Sequence, residues 1–528
     1  MSEKYVFGID LGTTYSCISY FDENGQCVTC PSVEGETTIP SVVRMEPGTD
    51  PIVGNAAKNT AILYPETTIQ FVKSRIGIEA SFNYGPEQSY TTTPVEVSAE
   101  ILKKIAHDGS VYTNSDVKRV VITVPAYFGD AEKRATKEAG EAAGLDVLGI
   151  IEEPTAAAIY YGMNKSDQPE NVIVFDLGGG TFDVTAMEIK ERSFRTITTE
   201  GDHDLGGKNW DIALIDLVKE KFREETGYDD EYDPDIEQDL LIACEEAKKI
   251  LTQAESTVVP VKVDRQYKAA IEITRKEFED ATSSLLDSAV SLTRKVIERV
   301  EVPLTKILLV GGSTYMPQVK KAIEENFPQL EINFNEPNTA VAKGASIYAF
   351  MKYIQGVEFS SEGMAADGAA AAPEMMTLPG EKIETYENIA TLPGIMGKLP
   401  SKIVTIANKS LGIRMLLNGE LRINNLIMKD TELPASVSAT YGTNEDNATN
   451  IPIDLFQVNN YEQYYDVDED LKIGTAMLVL DGTLPKNSPI EVTLSLVEDG
   501  CVHVKGLDKT RGAVIEADIV SDAVGQKS

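Results

Sequence analysis

The sequence predicts an α/β domain with an internal duplication, followed by an all-β domain. Two segments with nearly the same pattern indicate the duplication, Phe7 to Thr14 and Phe175 to Asp183. Each is an apolar strand that ends in Asp, followed by a turn of Gly and Thr and by a second apolar strand. Beyond about residue 403 the pattern changes to short alternating strands separated by Asn-Gly and Asp-Gly turns, which is typical of a β-sandwich.

The length of 528 residues exceeds what one hydrophobic core supports, so we expect several domains. A stretch rich in Gly, Ala and Pro, with two Leu-Pro-Gly units, separates the two patterns and predicts a linker that could also pack partly against the first domain. The predicted boundaries are 1–356 for the α/β domain, 357–402 for the linker, 403–520 for the sandwich and 521–528 for a tail.

Apolar periodicity predicts the elements of the α/β domain. The apolar runs 120–124 and 306–310 predict buried strands. Residues 130–144 begin with an Asp at the N-cap position and end in Gly, and residues 237–252 and 275–299 have apolar side chains three or four positions apart, so we expect three helices. In the second domain the predicted strands include 413–417, 451–456, 476–480 and 490–496.

The net charge of −36, from 84 acidic and 48 basic residues, argues against binding to nucleic acid or to anionic membranes. No run of about 18 apolar residues is present, and the N-terminus lacks the pattern of a signal peptide. Five cysteines, an odd number, do not suggest a disulfide framework. We therefore expect a cytoplasmic protein.

The duplicated turns predict a site for a polyphosphate. Glycine lets backbone N–H groups approach an anion closely, and the adjacent Asp10 and Asp176 could hold a metal ion through water. A third glycine turn at 311–314, a carboxylate at Glu153 and a cation at Lys73 complete the set. Backbone donors, carboxylates and one cation are what phosphoryl transfer to water needs.

Three stretches of the chain resemble the signatures of the DnaK-type, seventy-kilodalton heat-shock chaperone family: residues 9–16, 173–185 and 309–317. The resemblance is strong from Lys4 to about Phe350 and weaker across the second domain. It implies an actin-like ATPase domain, a duplicated RNase H-like fold with ATP between two lobes, followed by a β-sandwich that binds extended apolar peptide. The implied cofactors are ATP or ADP and Mg²⁺, and the family also admits K⁺.

The resemblance also implies roles for individual residues of the cleft. The matching positions are Asp10 and Asp176 for Mg²⁺; Gly12, Thr13, Thr14, Tyr15, Gly178, Gly179 and Gly180 for the phosphates; Lys73, Glu153 and Asp183 for the attacking water, with Thr181 beside the γ-phosphate; and Glu245, Lys248, Thr252, Gly311, Gly312, Ser313 and Tyr315 for the nucleoside. Met415, Leu416 and Val437 are candidates for the peptide groove, with ordinary sandwich core as the alternative for each.

Several positions depart from the family pattern. Tyr315 and Lys249 each stand where members have an arginine at the adenine, so we expect weaker or faster-exchanging nucleotide. Gly149 replaces an arginine that members use for J-domain partners, and the segment 248–310, on the exchange-factor side, is shorter than usual. Thr405 occupies the place of an Asp that passes the nucleotide signal to the peptide domain.

The sequence leaves three functions to compare. The first is an ATP-hydrolysing chaperone that binds unfolded apolar segments, without the helical lid that members carry after the sandwich. The second is an ATP-bound, weakly hydrolysing scaffold, co-chaperone or exchange factor. The third is a small-molecule kinase on the same duplicated fold, against which the second domain argues.

Overall fold

The computed structural model describes most of the chain. The described residues are 2–163, 168–362, 383, 386, 398–497, 500–517 and 519–520. The predicted tail lies outside them, and so does most of the predicted linker. Within these residues, no helix is both long enough and apolar enough to cross a membrane.

The first lobe, lobe I, comprises residues 5–163 and contains a mixed sheet in the order β11-β10-β1-β2-β3. Strand β1 runs antiparallel to β2 and parallel to β10. Its elements are β1 Phe7–Asp10, β2 Tyr15–Phe21, β3 Cys27–Cys30, β4 Ile39–Pro40, β5 Val43–Arg44, β6 Ile52–Val53, α1 Asn55–Thr60, β7 Thr68–Ile69, β8 Phe82–Tyr84, β9 Tyr90–Thr92, α2 Pro94–Thr113, β10 Arg119–Val124, α3 Asp130–Ala142, β11 Asp146–Glu152 and α4 Glu153–Met163.

Lobe II, from residue 168 to 333, repeats this arrangement in the order β18-β17-β12-β13-β14. Strand β12 again runs antiparallel to the next strand and parallel to β17, which confirms the predicted duplication. The elements of lobe II and the helix that follows are β12 Glu170–Leu177, β13 Phe182–Lys190, β14 Ser193–Asp202, α5 Gly207–Thr226, α6 Pro234–Leu251, β15 Ser256–Lys262, β16 Lys268–Thr274, α7 Arg275–Ala281, α8 Ser283–Arg299, β17 Lys306–Val310, α9 Pro317–Asn326, β18 Glu331–Asn333 and α10 Ala340–Glu362.

One predicted helix is two helices. The segment predicted as one helix over 275–299 is interrupted at Thr282, whose backbone is not helical (φ −107°, ψ 6°). The Thr282 hydroxyl is buried and donates to the Phe278 carbonyl at 2.8 Å, and it shares a further hydrogen bond with the Gln318 amide. A threonine side chain that bonds to nearby backbone competes with the helical ladder, and the apolar spacing does not reveal this.

The two lobes meet at their bases, where α4 and α10 pack between the two sheets. Phe21 of lobe I, Val174 of lobe II and Phe350 of α10 belong to one buried cluster. Gly8 lies against the backbone of α10, where a Cβ would sit 2.1 Å from the Ser346 nitrogen, so only glycine fits there. This close packing places the ends of β1 and β12, with their aspartates, on opposite sides of one cleft.

The second domain is a sandwich of two antiparallel sheets, in the orders β24-β21-β20-β23-β25-β29 and β22-β26-β27-β28. Asn418 and Gly419 both have positive φ and join β20 to β21 in a tight hairpin, as the Asn-Gly pair predicts. The strands from the linker onward are β19 Lys402–Val404, β20 Ser410–Leu417, β21 Glu420–Ile427, β22 Ala435–Gly442, β23 Ala448–Val458, β24 Tyr464–Asp466, β25 Lys472–Leu484, β26 Pro489–Leu496, β27 Val502–Asp508, β28 Ala513–Ala517 and β29 Ile519–Val520.

The sandwich is docked on lobe II and also contacts lobe I, where Asn408 donates to the Ala126 carbonyl at 2.8 Å. Strand β19 adds to the edge of the lobe II sheet by pairing in parallel with β14. Next to it, the Glu200 carboxylate accepts hydrogen bonds from Arg299 of lobe II and from Lys429 of the sandwich, the latter at 2.9 Å. Thr198 donates to Asp430 across the same interface at 2.9 Å. We refer to this arrangement as the docked state.

The predicted linker is more structured at both ends than its composition suggests. Helix α10 continues to Glu362, beyond the predicted boundary at 356, and β19 begins at Lys402. Between them, Ile383 and Tyr386 are buried against lobe I. This agrees with the alternative of a partly packed tail for these two residues, while the domain boundaries themselves stay a prediction.

Candidate active site

A cavity of about 610 Å³ lies in the cleft between the lobes, a size typical of small-molecule sites. Its walls come from the two duplicated hairpins, from α6 and from the third glycine turn. The predicted residues that line it are Asp10, Gly12, Thr13, Thr14, Tyr15, Lys73, Glu153, Asp176, Gly178, Gly179, Thr181, Glu245, Lys248, Thr252, Gly311, Gly312, Ser313 and Tyr315. Gly180 and Asp183 do not line it, and Gly180 packs against the side chain of Thr13.

The two hairpins face each other directly. A Cβ at Gly179 would lie 1.9 Å from the Thr14 hydroxyl oxygen, so the turn of lobe II approaches the turn of lobe I as closely as glycine allows. The Gly12 carbonyl accepts from Ser41 at 2.7 Å, and the Gly178 carbonyl accepts from Ser313 at 2.8 Å. Both turns are therefore held at a carbonyl group by a serine hydroxyl of the cavity wall.

Lys73 and Glu153 form a buried ion pair at the bottom of the cleft. Lys73 lies in a 3₁₀ turn, Val72–Arg75, that follows a left-handed residue, Phe71 (φ 58°). Glu153 is the first residue of α4, where a helix N-terminus favours negative charge. Because a buried charge is costly unless it is paired, each partner fixes the position of the other.

Of the three aspartates beside this pair, Asp176 and Asp183 are buried and Asp10 is half-buried. Burial and, after it, the charge of Glu153 raise the pKa of Asp10 to about 7, against the opposing effects of Lys73 and of Thr123, which donates to the carboxylate at 3.0 Å. Burial and the neighbouring carboxylates also raise the pKa values of Asp176 and Asp183. A cation in the cleft would oppose all three shifts, because it favours the ionised carboxylates.

The donor set fits a hard cation that keeps its waters. One carboxylate oxygen of Asp183 is buried without a hydrogen-bond partner among the described residues. Within the described ranges of the chain, no three His, Cys, Asp or Glu side chains are placed to bind a metal together. Mg²⁺ suits such a site because it takes one or two carboxylates and completes its shell with water and phosphate oxygens.

The opposite end of the cavity has the features of a nucleoside site. The Lys248 ammonium donates to Asp211 at 2.8 Å and to the Gly207 carbonyl at 2.9 Å, which holds it against the lobe II turn. The Tyr315 ring is 43% exposed and is supported edge-on by Phe334, with ring centroids 5.0 Å apart. A flat, exposed and supported ring can stack on a base.

A hydrogen-bond network across the mouth of the cleft was not predicted. Lys58 of α1 donates to Tyr15 at 2.8 Å and to Glu245 of lobe II at 2.5 Å, and Lys249 donates to the same two residues. Burial alone would raise the pKa of Glu245, but Lys58 and Lys249 lower it to about 2. Lys58 is an ordinary helix lysine in the sequence, so only the folded arrangement reveals it.

The candidate groove residues do not share one surface. Met415 lies on the same face of β20 as Ile413, toward the sandwich interior, whereas Leu416 points to the other face and is 56% exposed. Leu416 pairs across the hairpin with Leu421, which is equally exposed. Val437 of β22 packs against the sandwich core. Adjacent strand residues alternate, so a single groove takes either Met415 or Leu416.

Comparison with known proteins agrees with this geometry. The model of the family described as Hsp70 protein matches residues 6–358. The chain is 35% identical over 528 aligned residues to the chaperone protein DnaK of Thermotoga petrophila and, equally, to that of Thermotoga maritima, covering 97% of this chain and 80% of each relative. It is 34% identical to the chaperone protein DnaK of Thermosipho melanesiensis, over 97% of this chain and 79% of that relative.

Members of this family are ATP-dependent molecular chaperones that use Mg²⁺ with the nucleotide. The fold of this chain agrees, since an ATPase domain of two duplicated lobes precedes a β-sandwich. The predicted cofactors, ATP or ADP with Mg²⁺, and the predicted ATPase activity are those of the family. The match of the family model to most of the α/β domain, together with identity to relatives over nearly the whole chain, shows that this chain belongs to the Hsp70 family.

Proposed function

We propose that the cleft residues of this ATPase chaperone divide the hydrolysis of ATP among them as their positions suggest. The observation that supports this best is the buried Lys73–Glu153 pair at the end of the two facing hairpins. The hairpin N–H groups would cradle the β- and γ-phosphates, and Asp10 and Asp176 would hold Mg²⁺ through water. Bound Mg²⁺ supplies neutralisation of the charge on the phosphate oxygens.

The buried Lys73–Glu153 pair and its neighbours position the attacking water. Glu153 orients the water by accepting a hydrogen bond from it, and Lys73 places a positive charge where the reacting phosphoryl group develops negative charge. Thr181 lines the cavity and would lie beside the γ-phosphate, and Asp183 follows it two residues later at the start of β13. With water already positioned, the protein needs to move few groups during the reaction.

The base is held between Tyr315 and the stem of Lys249, with Lys248 and Ser313 bounding the sugar. The Lys249 ammonium already donates to Tyr15 and pairs with Glu245. Stacking therefore depends mainly on the ring of Tyr315, without a cation over the base. We propose that this makes the nucleotide exchange faster than in a relative with two arginines at these positions.

The sandwich holds extended apolar segments of client proteins. Members of the family act on unfolded chains with co-chaperones, and we propose the same classes of partner here, including a J-domain protein and an exchange factor. Gly149, where members have an arginine for the J-domain partner, lies on the lobe I strand β11. A cytoplasmic location fits five cysteines that form no disulfide.

Steady-state release of phosphate tests this function. With Mg-ATP alone we expect slow turnover. With a Leu-rich heptapeptide we expect turnover to rise by several fold, because peptide binding to the sandwich shifts the equilibrium away from the docked state. A tetrapeptide of Gly and Ser at the same concentration is the control. Turnover that needs a small-molecule acceptor would favour a kinase, and bound ATP without turnover would favour the scaffold.

A further inference from the structure

A tyrosine of the predicted linker between the two domains is buried against lobe I. Tyr386 is 1% exposed and is one of the largest fully buried side chains of the described chain. Its neighbour Ile383 is equally buried. Both belong to the cluster at the base of the lobes, with Phe21 of β2 and Phe350 of α10. A composition typical of a tether therefore contains a residue that packs like a core residue.

The Tyr386 hydroxyl takes the place of one rung of the sheet. Strands β1 and β2 pair from Asp10 to Phe7, and the next rung would join Val6 to Phe21. Instead, the Val6 N–H donates to the Tyr386 oxygen at 3.0 Å, and the Tyr386 O–H donates to the Phe21 carbonyl at 3.0 Å. The hydroxyl thus satisfies two buried backbone groups, which a chance surface contact would not do.

Aromatic and backbone contacts complete the attachment. The Tyr386 ring lies 4.8 Å from Phe350 and 5.5 Å from Tyr353, between centroids, both in inclined or edge-on geometry. The Tyr353 hydroxyl in turn accepts from the Ile383 N–H at 2.6 Å, and the Tyr386 N–H donates to the Ile383 carbonyl at 3.0 Å. The attachment is therefore made on α10, on β2 and on the residue before β1, at the base of the lobes.

Among the described residues, the first backbone contacts that follow Tyr386 are made with the other lobe. The Ser401 N–H donates to the Arg192 carbonyl at 2.8 Å, and β19 follows at once on the edge of β14. Lys402, where β19 starts, comes sixteen residues after Tyr386 and forty residues after Glu362, where α10 ends. Fully extended, these lengths reach about 58 Å and about 144 Å, respectively.

We propose that Tyr386 is an anchor that shortens the tether of the peptide-binding sandwich, and thereby favours its return to the docked state. When β19 leaves β14, the sandwich remains attached to lobe I at Tyr386 instead of at the end of α10. The effective concentration of a tethered partner falls roughly as the −3/2 power of the tether length. A tether of sixteen instead of forty residues therefore raises the docking equilibrium constant about fourfold.

Two insertions of equal length test the anchor without touching it. Twenty Gly and Ser residues are placed either before the anchor, between Ala370 and Ala371, or after it, between Pro393 and Gly394. The readout is hydrogen exchange at Ser401 and Ile403 with ATP present, because the Ser401 N–H donates to the Arg192 carbonyl and alternate amides of a parallel strand face the same neighbour. We expect the later insertion to lower protection about threefold and the earlier one to leave it unchanged. Equal effects of the two insertions, or no effect of either, would overturn the proposal.

Removal of the anchor provides the second arm. In Tyr386→Ala the earlier insertion should lower protection against exchange, because the sandwich is then tethered at the end of α10. In the control Tyr112→Ala, which changes an exposed tyrosine of lobe I, the earlier insertion should leave protection unchanged. If the earlier insertion leaves protection unchanged in Tyr386→Ala, the proposal that Tyr386 is an anchor is contradicted. Docking is measured by exchange and not by turnover, so a failure of the assigned hydrolysis roles would leave this result readable.

Discussion

The nucleotide cleft and the peptide-binding sandwich differ in how the chain specifies them. In the cleft, short motifs set most positions on the phosphate side, because these residues sit on or beside glycine turns or, for Glu153, at a helix start. In the sandwich, strand register decides, and one residue along β20 separates an interior side chain from a solvent-facing one. Motifs thus locate a phosphate site directly, whereas a groove made of strands becomes visible only once the pairing of the strands is known.

The two regions also differ in their electrostatics. The cleft gathers buried carboxylates whose pKa values are raised by burial, and so it is prepared for a cation. The face between lobe II and the sandwich gathers paired charges, with Glu200 between Arg299 and Lys429. Ligand chemistry at one site and domain attachment at the other should therefore respond separately to mutation.

The largest expected effect is on the chemistry of the cleft. Lys73→Ala removes the buried cation beside Glu153, and Thr181→Ala removes the hydroxyl on the side of the γ-phosphate. We expect each to lower the rate of ATP hydrolysis at least about tenfold, and up to about a hundredfold, as for loss of a transition-state contact. Single-turnover hydrolysis measures the rate, and equilibrium binding should show that ATP still binds.

Lys103→Ala is the matched control for the loss of a lysine in lobe I. Lys103 lies on α2 and pairs at the surface with Glu100, with a side chain 48% exposed. Surface pairs contribute little, so its hydrolysis rate should equal that of the unchanged protein. Full activity in both cleft variants would remove the catalytic assignment and leave the cleft as a binding site only.

An intermediate effect is expected at the face between the domains. Glu200→Gln keeps the shape of the side chain but removes the charge that pairs with Lys429, whose own side chain is only 4% exposed. An unpaired buried ammonium is costly, so we expect docking to weaken by about 1.5–3 kcal/mol, roughly tenfold or more. Hydrogen exchange at β19 with ATP present measures the change.

Glu331→Gln is a control on β18, at the opposite edge of the lobe II sheet from β14. Glu331 pairs with Lys306 at 3.7 Å and its side chain is 68% exposed, so its loss should not change docking. Hydrolysis measured without peptide should also stay within about twofold in Glu200→Gln, because the carboxylate lies outside the cleft. A large loss of nucleotide binding in Glu200→Gln would break the separation between the two regions.

How much the sequence could predict follows the same division. The facing turns of Gly12 and Gly179 were predictable, since glycine, threonine and aspartate at fixed spacing define the turn locally. Lys58 was not, because its role depends on α1 of lobe I meeting Glu245 of lobe II, residues 187 positions apart. Tyr386 was hidden for a related reason, since its partners Val6 and Phe21 lie some 365 or more positions away.

The smallest effect we predict distinguishes the two faces of β20. Met415→Ala and Leu416→Ala remove similar apolar area from neighbouring positions, so each is a control for the other. If the groove lies on the interior side of the hairpin, Met415→Ala should weaken binding of a Leu-rich heptapeptide about fivefold, or about 1 kcal/mol, while Leu416→Ala changes it less than twofold. Fluorescence anisotropy with a labelled peptide measures both. The reverse ranking would place the groove on the outer face of the hairpin, where Leu416 and Leu421 pair.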